Sequence, residues 1–217
     1  MLEKRSFEFE VRALETETGE KIITGKPIVY NSRTNLGDFD EIIEAGALDA
    51  TDLTDVRFLV NHNTDMIPLA RSRRNNGNST MKLSIDEGGL NIDFIKLDTE
   101  NNSDARSLYS AVSRGDITGM SFMFFVDDNG QMWENMNTDH PTRHIFNILR
   151  VLEVSAVTFP AYEATEIYAR SSAAALESAK TVLENARANY RASLESDTKN
   201  SELELLKEKT KILTGGI

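Results

Sequence analysis

Four side chains could carry acyl-transfer chemistry if the fold brings them together. Ser121 is the one hydroxyl within Met120-Ser121-Phe122-Met123-Phe124-Phe125-Val126. A buried hydroxyl left unpaired costs about 1–3 kcal/mol, so Ser121 needs a partner. A backbone carbonyl would make it a structural serine; a histidine would make it a nucleophile. His62 closes the alternation Val56, Phe58, Val60. A histidine at the end of a strand is held on a rigid mount while its ring faces a cleft. Glu153 interrupts an apolar run over residues 149–159, where desolvation disfavours its charge unless a cation or an imidazole N–H faces it. Arg150 is the structural candidate for that partner. Ser155, two residues on, shares a strand face with Glu153 and is either a second candidate nucleophile or a support to the site.

The other two histidines, His140 and His144, flank Pro141-Thr142-Arg143. A metal pair at that spacing needs a helix, which Pro141 opposes, so neither a metal site nor a cofactor is expected. With zero cysteines, disulfides, thiolate catalysis and cysteine-bound zinc are excluded.

The elements that must position these residues read mostly as short strands. Residues 7–12 alternate Phe7, Phe9 and Val11 with charged residues, and 21–30 follow after a turn. A polar loop over 31–38 precedes strand 39–43 and a helical turn at 45–50. Strand 56–60 runs into His62, and 66–70 is a further short strand. Gly88-Gly89 separates 80–85 from 90–97 as a hairpin. A helix is predicted over 104–114, with Ser103 as cap and Gly115 as stop. The Ser121 strand comes next, followed by a polar irregular stretch over 127–142 and a near-continuous strand over 144–157. Seven or eight strands with a packed helix predict an α+β fold built on a small closed or nearly closed, mostly antiparallel β-barrel. Residues 163–214 hold no glycine or proline and repeat apolar residues at three and four. They predict a coiled-coil-like helical tail, with Ser196-Asp197-Thr198 as a candidate break into two helices. The expected domains are thus 1–162 and 163–217.

The net charge of −11 argues against a nucleic-acid partner. Residues 163–217 hold nine acidic and eight basic side chains, so the front part carries −10 of it. No stretch approaches a membrane span of ~18 apolar residues, and Met-Leu-Glu-Lys-Arg-Ser-Phe-Glu lacks the apolar core of a signal peptide. A cytosolic protein without membrane contact is expected.

The ordered segments Val60-Asn61-His62-Asn63, residues 115–122 (Gly-Asp-Ile-Thr-Gly-Met-Ser-Phe) and residues 152–162 (Leu-Glu-Val-Ser-Ala-Val-Thr-Phe-Pro-Ala-Tyr) resemble the prohead maturation proteases of tailed bacteriophages. Residues 41–48, from Glu41 through Gly46 to Leu48, also resemble that family, and the similarity runs over about 7–168. The family is similar in fold to the herpesvirus assemblins, serine proteases on a small β-barrel. The resemblance implies Ser121 as nucleophile, His62 as base and Glu153 as the third, acidic member. It implies a serine endopeptidase inside the assembling procapsid in the host cytoplasm, with the major capsid protein and scaffold segments as substrates. Self-cleavage and a homo-oligomer, a dimer, are expected with it. One departure is Met123, where many members carry glycine, which should narrow the cleft beside Ser121. An oxyanion-stabilising N–H is sought near residues 69–73, supported by Arg71 or Arg73. The alternative is a non-enzymatic scaffold or assembly factor, which has no reason to bring His62 to Ser121.

Overall fold

The computed structural model describes residues 2–7, 11–158 and 173–213. In chain order the elements are β1 (Leu2–Phe7), β2 (Val11–Glu15), β3 (Lys21–Val29), β4 (Arg33–Asn35), β5 (Asp40–Ile43), β6 (Arg57–Val60) and β7 (Ala70–Arg71). There follow β8 (Met81–Asp86), β9 (Gly89–Lys96), α1 (Ser103–Arg114), β10 (Gly119–Val126), β11 (Gln131–Glu134), β12 (Thr142–Ile145), β13 (Ile148–Val157) and α2 (Ala173–Leu213). The chain divides into two compact units, Met1–Ala179 and Lys180–Ile217.

The fold is α+β, but the predicted barrel does not form. The strands build three open sheets, ordered β1-β10-β13-β6-β7, β11-β12-β5-β4 and β2-β3-β9-β8. Among the described residues no ladder joins the two edges of any sheet. Periodicity reveals that a strand exists and which face it buries, but not its neighbour, and closure depends on neighbours. Two pairings, β12 with β5 and β13 with β6, are parallel, a relation that only a long crossover can make.

Local differences have local causes. β4 and β11 lie inside stretches read as polar loops, because two edge strands need only half their residues buried. Residues 45–50 form successive turns rather than a helix. The strand read over 66–70 shrinks to β7, and the run over 144–157 breaks at Phe146-Asn147. The strand expected over 7–12 is split between β1 and β2, and its residues 8–10 lie outside the described residues. The β8–β9 hairpin is as predicted. Gly89 is required there, since a Cβ would lie 2.0 Å from the Ile28 carbonyl oxygen. Helix α1 is capped by Asn102, not Ser103: the Asn102 side chain accepts from the N–H groups of Asp104 and Ala105. Gly115 closes it in the left-handed region at φ 77°.

One helix, α2, runs straight through Ser196-Asp197-Thr198, and Thr198 Oγ1 donates back to the Leu194 carbonyl at 2.9 Å. Leu194, Leu203 and Leu206 are exposed, so the described residues form no coiled coil within the chain. The expected boundary at 162/163 lies outside the described residues.

A single apolar core gathers Ile23, Ile28, Met81, Leu90 and Ile95 from the hairpin sheet, Leu108 and Val112 from α1, and Phe58, Phe122, Phe124 and Val154 from the five-stranded sheet. That last sheet has a polar anchor as well. Arg5 of β1 is fully buried and donates to Glu41 from Nε (2.6 Å) and Nη2 (2.7 Å), and to Glu3 from Nη2 (2.7 Å). Arg143 of β12 donates to the same two carboxylates at 2.6–2.8 Å. Two cations and two anions thus satisfy one another and tie β1 to β5 and β12. Burial opposes the Arg5 charge, yet Glu41 and Glu3 raise its proton affinity above the ordinary value.

Candidate active site

β10 is buried on both faces, and its third residue is Ser121. In the ladder Ser121 stands opposite Ser155 of β13, and Ser155 stands opposite Leu59 of β6. Three neighbouring strands therefore bring one polar face together: Ser121 from β10, Glu153 and Ser155 from β13, and the turn that leaves β6. Met123 lies on this face too, opposite Glu153, and is almost fully buried.

His62 does not extend the strand as the alternation suggests. β6 ends at Val60, and Asn61 and His62 both take left-handed conformations, φ 52° and 55°. Asn and His enter that region more readily than most residues. The turn is fastened to the end of β13 residue by residue. Asn61 N–H donates to the Ala156 carbonyl (2.9 Å). The Asn61 amide accepts from Thr158 N–H (2.9 Å) and donates to Thr158 Oγ1 (3.0 Å). His62 N–H donates to Ser155 Oγ (3.1 Å).

The ring so placed spans Ser121 and Glu153. Its Nε2 lies 2.5 Å from Ser121 Oγ, and its Nδ1 is hydrogen-bonded to Glu153 Oε1. The second carboxylate oxygen accepts from Ser155 Oγ–H at 2.6 Å. Ser121 Oγ also lies 2.6 Å from the Arg5 carbonyl as a donor, so its single proton has two acceptors in reach, one on β1 and one on the imidazole. Both readings of the Ser121 partner are therefore present at once. Ser121 is fully buried, and His62, at 12% side-chain exposure, is the most open of the three.

Several expectations change. Arg150 does not partner Glu153; its Nε faces Asp52 at 3.3 Å, which leaves the imidazole as the carboxylate's partner. The N–H groups of Leu69, Arg71 and Ser72 donate to Phe58 O, Thr80 Oγ1 and Val56 O, so they are engaged within the protein rather than free for an oxyanion. Arg71 is held by Asp55 and Arg73 by the Asn78 carbonyl. The Arg71 hydrogen bond keeps the Asp55 carboxyl below its usual range. His140 pairs with Asp40 at 2.9 Å and His144 with Glu44 at 2.6 Å. The described residues contain no cluster of three or more His, Asp or Glu side chains set to hold a metal ion. No helix among them is long and apolar enough to cross a membrane.

The sequence model of the caudovirus prohead serine protease family matches residues 7–180. The chain belongs to that family. As a prohead serine protease it is a serine peptidase of capsid maturation, and the match takes in β2 through β13, with the strands that carry Ser121 and Glu153 and the turn that carries His62. No curated protein and no solved structure matches the chain.

Two features of the site were not read from the sequence. The reciprocal Asn61–Thr158 pair had a signal in the Asn-His-Asn run, since asparagine beside a histidine favours a tight left-handed turn. The Arg5 carbonyl had none, because a backbone group gives no sign of its partner.

Proposed function

We propose that this prohead protease is an endopeptidase that cleaves capsid and scaffold proteins in the assembling procapsid, and its own chain as well, with Ser121, His62 and Glu153 as its catalytic residues. The observation that carries the reading is the unbroken line of hydrogen bonds from Ser121 Oγ through both nitrogens of His62 to Glu153. Ser121 Oγ attacks the scissile carbonyl carbon while its proton passes to His62 Nε2. Collapse of the tetrahedral intermediate breaks the C–N bond, and the same proton is returned to the leaving amine. Water then repeats the cycle on the acyl-enzyme. Glu153 keeps the other ring proton on Nδ1, so that Nε2 is the free acceptor, and it stabilises the imidazolium that forms. A dimer as the active form, residues 1–162 as the protease and 163–217 as a tail that docks to scaffold belong to the same proposal.

The test is co-expression with the capsid protein of the same phage. The wild-type chain should shorten the capsid protein, and Ser121→Ala and His62→Ala should leave it full-length. Because the pair acts as a unit, the double variant should be no worse than either single one. Processing by Ser121→Ala would overturn the assignment.

A further inference from the structure

The hydrogen bonds around Glu153 form a closed circuit. His62 Nδ1 is bonded to Glu153 Oε1; Ser155 Oγ–H donates to Glu153 Oε2 at 2.6 Å; and Ser155 Oγ accepts from the backbone N–H of His62 at 3.1 Å. One hydroxyl thus touches both the acid and the residue whose ring that acid must hold. We propose that Ser155 is a positioning residue for the triad, setting the distance and orientation between Glu153 and the His62 imidazole. This rests on the protease reading given above.

Three physical points carry it. First, a carboxylate at the end of three rotatable bonds needs both oxygens fixed if one is to stay on Nδ1, and Ser155 fixes the second. Second, two successive non-glycine residues with positive φ are costly, on the order of 1–3 kcal/mol each, and persist only where the surroundings hold them. The His62 N–H is one of the groups that hold the turn, and its acceptor is Ser155. Third, Ser155 has no exposure and lies on β13 in direct register with Ser121, so it cannot move without moving the strand that carries Glu153. Its one proton goes to Glu153 and its lone pair to His62. It is therefore already committed as donor and acceptor, which separates it from Ser121, whose oxygen faces Nε2.

The decisive comparison is with Ser72, another fully buried serine, whose Oγ likewise accepts a backbone N–H, that of Val56 at 2.9 Å. Ser72→Ala gives the cost of losing such a hydroxyl where no catalytic group is touched. Single-turnover processing of purified capsid protein is measured over a range of protease concentrations for the wild type, Ser155→Ala, Ser72→Ala and Ser121→Ala. Groups hydrogen-bonded to metal ligands shift activity by about 10- to 100-fold, and a loss of the same order is expected here. Ser155→Ala should lose that much from the maximal rate with an unchanged half-saturating concentration, while Ser72→Ala keeps the wild-type maximal rate. The proton NMR signal of the His62 Nδ1–H, identified by its loss in Glu153→Gln, should shift in Ser155→Ala and stay in place in Ser72→Ala. A Ser155→Ala chain with the maximal rate and the NMR signal of Ser72→Ala overturns the positioning role and leaves the triad standing. Processing by Ser121→Ala fails the assignment of Ser121 on which this rests, and if Ser155→Ala is then inactive, Ser155 is the nucleophile.

Discussion

Replacing Glu153 by glutamine changes one atom and removes one charge, and the surrounding bonds say what must follow. The carboxylate serves two donors, His62 Nδ1–H on Oε1 and Ser155 Oγ–H on Oε2. A glutamine has one oxygen for these two sites. If its oxygen faces the imidazole, the ring keeps its tautomer, but the amide N–H₂ meets the Ser155 proton and the imidazolium loses its counter-charge. If the amide turns over, Ser155 keeps its acceptor and the N–H₂ donates to Nδ1, which drives the ring proton to Nε2. The second arrangement satisfies every group and is therefore favoured, yet it presents Ser121 with a donor where a base is needed. Loss of tautomer control costs a triad about 10²–10⁴-fold. At 1.36 kcal/mol per tenfold, that is about 3–5 kcal/mol of barrier, and the favoured flip points to the upper end. Single-turnover processing of the capsid protein gives the rate, and thermal melting followed by circular dichroism gives the stability. The expected result is a large fall in rate with a small change in melting temperature. A wild-type rate in a chain that melts lower would refute the reasoning, because Glu153 would then be a packing residue.

Three more outcomes are open to measurement. Glu41→Ala leaves the buried guanidiniums of Arg5 and Arg143 sharing a single carboxylate, and removing one partner of a buried pair costs about 3–5 kcal/mol, read as a lowered urea midpoint. Acid should destabilise the fold through Glu3. Burial pushes its carboxyl up, but Arg5 and Arg143 pull it further down, so the folded chain releases this proton below the ordinary value of 4.5. The unfolded chain then takes up the proton first; the stabilisation is complete above about pH 4.5 and is lost as the pH falls below it. Glu3→Gln should flatten that dependence, and an unchanged slope would exclude Glu3 as its source. Finally, the family match ends at residue 180 and the larger compact unit at Ala179, so a chain ending at Lys180 should stay soluble and process capsid protein. If it aggregates, the remaining helix is needed for the protease to fold.

The candidate site was far more legible than the architecture around it. Ser121, His62 and Glu153 were visible because each breaks an apolar pattern, and a polar residue that interrupts a buried strand needs a partner. The partner itself is invisible to periodicity: Arg150 was as reasonable for Glu153 as an imidazole until register put it beside Asp52. β1 escaped for the opposite reason. Its buried positions Glu3 and Arg5 are charged, so an edge strand with one buried face reads as a polar terminus, and only neutralisation by Glu41 and Arg143 allows that burial. The open sheets in place of a barrel follow from pairings such as β6 with β13, between residues 96 apart in sequence, which no local pattern records.

The strand order β1-β10-β13-β6 has a consequence in time as well as in space. Ser121 is 59 residues from His62, and His62 is 91 from Glu153. β13 lies between the strand of Ser121 and the strand that leads to His62, and it is the last of the three to be synthesised. Until it enters the sheet, the His62 turn lacks its hydrogen bonds to β13 and the line from Ser121 to Glu153 is not assembled. Such long-range pairing also folds slowly, because distant segments must meet before any contact stabilises them. Under the proposed assignment, a growing chain therefore holds no assembled triad until β13 has been made and has joined the sheet.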